Sequence, residues 1–398
     1  MASQNPQGII TSMLDNDFYK FTMQNTVIKL FPYAHAKYRF INRGNHEFPE
    51  GFASILQEEV DKMAALKLSQ EEYVYLQKQF SFLDPTYLDF LKGFQYDSSE
   101  VEIEQDGKNL EVHIQGPWYR TILWEVPILS LISELYYKVK KLERRSDSSV
   151  TAVVRTKMDR YKGLGVKIAE FGTRRRYSYW VQDLVINTLK MQGGNNFSGT
   201  SNVALAKKYG VKAIGTHAHE WFMFHAAKYG YKMANIVALE NWVDVYRGDL
   251  GIALSDTYTS DVFFESFDKK FSKLFDGVRH DSGDPIVFAK KTIRHYQKLN
   301  IDPLTKTIIF SDALTPDKVV EITAFCKGKI QMSFGIGTNF TNDVGVEPMN
   351  IVIKMSDAKP KRKKWMPVVK LSDVAGKYTG TEEEIKLSKI ILGLENGN

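Results

Sequence analysis

The spacing of apolar and polar positions changes once along this 398-residue chain. Residues 13–30 (MLDNDFYKFTMQNTVIKL) repeat apolar positions at helical spacing, with Asp15 and Asp17 near the start. AHAKYRFINR (34–43) alternates with period two and predicts a strand, and residues 50–93 carry three helical segments rich in Leu, Phe and Tyr. EVEIEQDGKNLEVHIQ (100–115) predicts a hairpin that turns at DGKN. Pro127 suits the first turn of a helix running to about Lys141, after which KLERRSDSSV forms a charged, Ser-rich junction. Helices mixed with antiparallel strands predict an α+β domain over residues 1–145.

After Thr151, short apolar runs alternate with helical stretches. The runs end in EFGTRRR (170–176), FSGTSN (197–202), GTHAHEW (215–221), ALSDTY (253–258), GVRHDSGDP (277–285), IIFSDAL (308–314) and SFGIGTN (333–339). Such alternation predicts parallel strands. Nearly every strand end carries polar residues, which fits an irregular or incomplete α/β barrel over 146–349 better than an open sheet, whose ligands gather at one switch point. NIVIKM (350–355) is expected to leave the barrel, so that 350–398 packs back on the first domain. The central stretch, 197–221, reads as turn, helix, turn, strand and polar tip. Ser201 is the expected N-cap, Gly210 ends the helix, and VKAIG (211–215) is the expected strand.

Composition narrows the class. A chain 43% hydrophobic and 25% charged fits a soluble globular enzyme. No apolar run reaches the ~20 residues that span a bilayer, and MASQNPQG lacks a secretory apolar core. The single cysteine, Cys326, excludes an intrachain disulfide and a Cys-based zinc site, and a reducing, cytoplasmic setting is expected. Five positive charges of a net +6 sit in KPKRKK (359–364), between two strand-like runs. This reads as a solvated hairpin tip, so neither a nucleic acid nor a membrane partner is expected.

The strand ends hold the candidate chemistry. Arg174, Arg175 and Arg176 offer forked donors for phosphate or carboxylate. FSGTSN and SFGIGTN can present backbone N–H groups to anions. RHDSGDP places Arg279, Asp281, Ser282, Gly283 and Asp284 on one turn, which suits Mg²⁺ with a phosphorylated ligand. Asp256 and Asp312 each end a strand in a Ser-Asp pair. The HAHEW tip has two readings. His217 and His219 form a zinc pair, with only His280 to assist them. Alternatively a carboxylate-held histidine, with Glu220 and Asp256 nearby, takes a phosphoryl group. The surrounding anion cradles and acids favour the second. Tyr19 and Phe171 are suited to stack a flat ring.

Together DFYKFTM, EFGTRRR, FSGTSN, GTHAHEW, RHDSGDP and SFGIGT, in this order, resemble the nicotinate phosphoribosyltransferase family over about residues 8–380. The resemblance implies the type II phosphoribosyltransferase fold and a homodimer with active sites at the subunit interface. It implies that ATP phosphorylates His219 and that Asp256 orients it. By the same resemblance Phe171 and Tyr19 are expected to sandwich the pyridine, Tyr19 reaching in from the other subunit. Thr216 and Arg279 match residues that bind nicotinate in that family; Arg175, Gly337 and Thr338 match or border its phosphoribosyl-binding elements. Asp281 and Asp312 lie near ribose, diphosphate and Mg²⁺. Amide-using relatives carry an aspartate where this chain has Ser201, so nicotinate is expected over nicotinamide. The implied reaction joins nicotinate to 5-phosphoribosyl 1-diphosphate, coupled to ATP through a phosphohistidine, in NAD biosynthesis. The alternatives are a nicotinamide-using transferase or a barrel metal hydrolase built on the HAH pair.

Overall fold

A computed structural model describes residues 8–394, so most of the polar N-terminal octapeptide lies outside the described residues. Strands β1 (His35–Asn42), β2 (Val101–Asp106) and β3 (Asn109–Pro117) belong to the first part of the chain. The middle supplies β4 (Lys167–Glu170), β5 (Phe197–Thr200), β6 (Arg247–Leu250), β7 (Ile252–Leu254), β8 (Gly277–His280), β9 (Thr307–Phe310) and β10 (Gln331–Ile336). The last part adds β11 (Ile351–Lys359) and β12 (Met366–Pro367).

One sheet is antiparallel, in the order β12-β11-β1-β3-β2. The predicted hairpin is β2–β3, paired from Val101↔Ile114 to Asp106↔Asn109. Leu110, Val112 and Ile114 point into the core while the residues between them face solvent, the period-two division the sequence carries. Helix Glu125–Val139 covers this domain with an almost wholly buried surface and begins two residues before Pro127.

The second sheet is parallel, in the order β5-β4-β10-β9-β8-β7. It is an incomplete barrel. The expected strand at 211–215 is reduced to one parallel bridge, Thr200↔Ala213, and Thr216 Oγ1 donates to the Ile252 carbonyl of β7 at 3.0 Å across the remaining seam. The run ends at Gly215, which packs so closely against the backbone of Tyr19 that an ideal Cβ there would lie 2.7 Å from the Tyr19 nitrogen. The expected N-cap is also corrected by one residue. Asn202 accepts from Leu205 N at 3.0 Å, whereas Ser201 Oγ donates to Asp17 Oδ1 at 2.7 Å.

The C-terminal segment serves both halves. β11 pairs antiparallel with β1. Beyond β12 the chain returns to the barrel rim, where Leu371 N donates to Thr257 O (2.8 Å) and Asp373 Oδ1 accepts from Ser260 N (2.7 Å). The basic tip 359–364 lies at the β11–β12 turn, with residues 361–364 exposed and Lys363 Nζ donating to the Lys228 carbonyl at 2.7 Å. No helix among the described residues is long and apolar enough to cross a membrane.

Candidate active site

Three adjoining cavities open at the carboxyl ends of the parallel strands, and Arg174 and Arg279 line all of them. The largest, about 520 Å³, is bordered by Arg175, Asp281, Ser311, Gly337 and Thr338. A second, about 250 Å³, lies between Tyr19, Phe171, Ser201 and Thr216, over an apolar floor that includes Ala169, Ile252 and Ile309. The smallest, about 50 Å³, brings His219, Asp281, Glu125 and Lys354 together.

Phe171 follows β4 directly and borders both larger cavities. It lies flat against β10 because position 335 has no side chain: an ideal Cβ there would sit 2.2 Å from the ring. Tyr19 comes from this same chain, at the start of helix Phe18–Leu30. The expectation that it crosses from a second subunit is therefore corrected. The Asp17↔Asn202 bridge and the close approach at Gly215 hold Tyr19 against its own barrel.

His219 opens helix His219–Tyr229 and is buried. Its Nδ1 lies 3.0 Å from Thr257 Oγ1 and its Nε2 lies 3.1 Å from Asp281 Oδ2. Asp256 is one step further away, with Oδ1 at 3.8 Å. Asp281 and Thr257, rather than the expected Asp256, make the orienting contacts. Asp256 instead accepts from Ser282 Oγ at 2.6 Å and faces Lys370 at 3.6 Å. Burial, and secondarily Lys370, lowers the His219 pKa to about 4 against the pull of both aspartates, so the ring is neutral at physiological pH. Burial alone would raise Asp281, yet Arg279 and His219 hold it well below the usual carboxylate range.

The neighbouring polar residues divide sharply. His217 turns inward, where its Nε2 accepts from Leu254 N at 3.2 Å and its ring packs on Trp242. It joins no ligand cluster with His219 among the described residues. His280 is buried between Phe288 and Phe310 and joins no ligand cluster among the described residues. These placements overturn the metal-hydrolase reading. Glu220 points away from His219, to Lys20, Tyr38 and Trp118. Of the three arginines, Arg176 is fully buried and grips Asp15 through two bonds of 2.7 and 2.8 Å. Arg175 faces the large cavity, and Arg174 reaches all three. Asp312 points away from the cavities' lining and pairs with Lys377 at 3.5 Å. Its neighbour Ser311 faces inward instead, accepting from Arg279 Nε (2.8 Å) and donating to Asp281 Oδ1 (2.8 Å). In a Ser-Asp pair at a strand end only one side chain can face the mouth.

Sequence reasoning also missed Lys354 and Thr257. Lys354 stands on β11, outside every strand-end motif, yet lines the His219 cavity. Burial pushes its ammonium down to about 7. Only the β11–β1 pairing brings it there.

Known proteins resemble this chain over nearly its whole length. Residues 166–395 match the nicotinate phosphoribosyltransferase (NAPRTase) family model, and residues 14–133 match the model of its N-terminal domain. A nicotinate phosphoribosyltransferase of Chromohalobacter salexigens is 63% identical over 97% of this chain and 99% of its own length. One from Desulforapulum autotrophicum is 48% identical over 98% and 100%. The crystal structure of the Porphyromonas gingivalis enzyme superposes with a TM-score of 0.94 at 49% identity, covering 96% of this chain and 100% of that one. The chain belongs to the nicotinate phosphoribosyltransferase family.

Proposed function

We propose that this chain joins nicotinate to 5-phosphoribosyl 1-diphosphate and couples the reaction to ATP through phosphorylation of His219. The observation that carries the reading is one continuous mouth in which an aromatic slot, an arginine-lined cleft and a buried neutral histidine share Arg174 and Arg279. Tyr19 and Phe171 hold the pyridine ring, and Thr216 and Ser201 border it. Arg279 and Arg174 offer the charge that a carboxylate needs. Arg175, Gly337 and Thr338 receive the phosphoribosyl group in the larger cavity.

In the transfer step the pyridine nitrogen donates its electron pair to C1 of the ribose. The C1–O bond breaks and its pair leaves with diphosphate, so that no proton need move. Negative charge grows on the departing oxygens, where Arg174, Arg279 and Lys354 stabilise it. In the coupling step a lone pair of the neutral His219 ring attacks the terminal phosphorus of ATP, and the bond to ADP breaks. Water later returns the phosphoryl group as phosphate. Asp256 and Asp281 suit Mg²⁺: with His219 they form a cluster whose ligand atoms lie within 4.8 Å of one another, and the buried Asp256 Oδ1 accepts no hydrogen bond. Such a cation would neutralise phosphate oxygens. A cytoplasmic setting fits the lone, buried, unpaired Cys326.

A nicotinamide-using transferase is the remaining reading within the fold. Steady-state kcat/KM for nicotinate should exceed that for nicotinamide by at least ~100-fold, the scale of leaving one buried cation without its carboxylate. Equal values would refute the substrate assignment.

A further inference from the structure

Lys20 stands beside Tyr19 on helix Phe18–Leu30 and is completely buried. Its ammonium sits between Glu125 Oε2, at 2.6 Å, and Glu220 Oε1. Glu220 is the residue after His219, and its second oxygen accepts from Tyr38 and Trp118. The second oxygen of Glu125 faces Arg174 Nη1 at 3.5 Å. Arg174 Nε lies 3.9 Å from Asp17 Oδ2, and Asp17 Oδ1 holds Ser201 Oγ. A line of polar and charged contacts, buried except at the partly exposed Arg174, thus runs from the residue next to His219, through Lys20, Glu125, Arg174 and Asp17, to the wall of the aromatic slot.

Stability alone does not account for such a line, since well-packed apolar residues often replace a buried ion network without loss. The transfer step makes no use of Lys20. Burial would raise Glu125, but Lys20 and Arg174 overcome it and bring it down to about 2, so the acid between the two cations stays charged.

We propose that Lys20 is a positioning residue that couples the state of His219 to the grip of the aromatic slot on nicotinate. This rests on the ATP-coupled reading of the site. A phosphoryl group on His219 changes the hold of the adjoining Glu220 on Lys20. The ammonium then shifts its pairing with Glu125, and Glu125 in turn restrains or releases Arg174, which lines all three cavities of the mouth. Linkage makes the effect reciprocal: nicotinate must favour phosphorylation by the factor by which phosphorylation favours nicotinate.

The test measures KM for nicotinate with and without ATP, at fixed 5-phosphoribosyl 1-diphosphate and Mg²⁺, in the unaltered chain, Lys20→Met and Glu125→Gln. ATP should lower KM by about 10-fold or more in the unaltered chain, within the usual range of coupling between sites. In Lys20→Met the ratio should fall to within about twofold of unity, while labelled phosphate still enters His219. Glu125→Gln keeps its shape and should lose the ratio as well, which covers a Lys20→Met chain that does not fold. A full ratio retained in either folded variant overturns the link alone. Absence of any ATP effect in the unaltered chain overturns the coupled reading and the link with it.

Discussion

His219 can act as a nucleophile only with an unprotonated ring nitrogen, and its setting keeps one: the charged Asp281 accepts from Nε2, which leaves the lone pair on Nδ1 beside the Thr257 hydroxyl. Removal from water, not a neighbouring acid, sets its protonation: burial brings the pKa from an ordinary 6.5 to about 4. The neutral form therefore persists as pH falls through 6.5 and is lost only near pH 4. Labelling of the protein by ATP should not fall as pH drops from 8 to 5.5, since His219 stays neutral while Lys354, held near 7, only gains charge over that range; half-loss near pH 6.5 would contradict the placement. Ser201 carries a different argument from the one its chemistry first suggests. Its hydroxyl proton is committed to Asp17 at 2.7 Å, so under the proposed function it would favour nicotinate by screening an acid rather than by donating. Ser201→Asp would set two carboxylates side by side in the slot. It should lower kcat/KM for nicotinate by about 10–100-fold, the cost of roughly 1–3 kcal/mol for an unsatisfied buried group; unchanged kinetics would remove Ser201 from the account. His219, Phe171 and Arg279 were legible because each stands in a strand-end motif. Lys20 was not, because a lysine inside an apolar helix gives no sign of facing two acids.

At the scale of elements, the turn after β4 shows why adjacent arginines part company. The turn Thr173–Arg175 is a single tight 3-10 turn, so successive side chains leave it in different directions. Arg174 enters the mouth; Arg176 enters the interface with helix Tyr179–Gly193, bonding Gln182 at 3.1 Å as well as Asp15. Arg176→Ala should cost about 3–5 kcal/mol of stability, because it strands a buried carboxylate. Arg174→Ala should instead lower kcat/KM by roughly 100-fold, the scale of removing a transition-state donor, with a smaller change in melting temperature since Lys20 still faces Glu125. Thermal melts and kinetics of both variants decide it; a reversed pattern would mean the wrong arginine faces the substrates. The staves themselves were legible from the alternation of apolar run and helix. The seventh was not. VKAIG has strand composition, but it makes one bridge only and ends at Gly215, against Tyr19 from some two hundred residues away in sequence.

The whole molecule is one site assembled from three parts of the chain. The N-terminal helix brings Tyr19 and Lys20, the barrel brings His219, Phe171 and the arginines, and β11 carries Lys354 across through its pairing with β1. The returning tail then ties Thr257, Ser260 and Ser282 around the histidine, through Leu371, Asp373 and Ser372. This joining was only half legible. The exit of NIVIKM from the barrel could be read from its alternation, but the return of the tail to the rim depends on single hydrogen bonds that no pattern announces. The central claim is that this assembly lends the energy of ATP to nucleotide formation through one imidazole. The direct measurement is to incubate the protein with terminally labelled ATP and Mg²⁺ and to map the label by peptide. The account predicts an acid-labile, base-stable adduct on His219 that is absent from His219→Ala; label elsewhere, or ATP hydrolysis at the normal rate in His219→Ala, would contradict it.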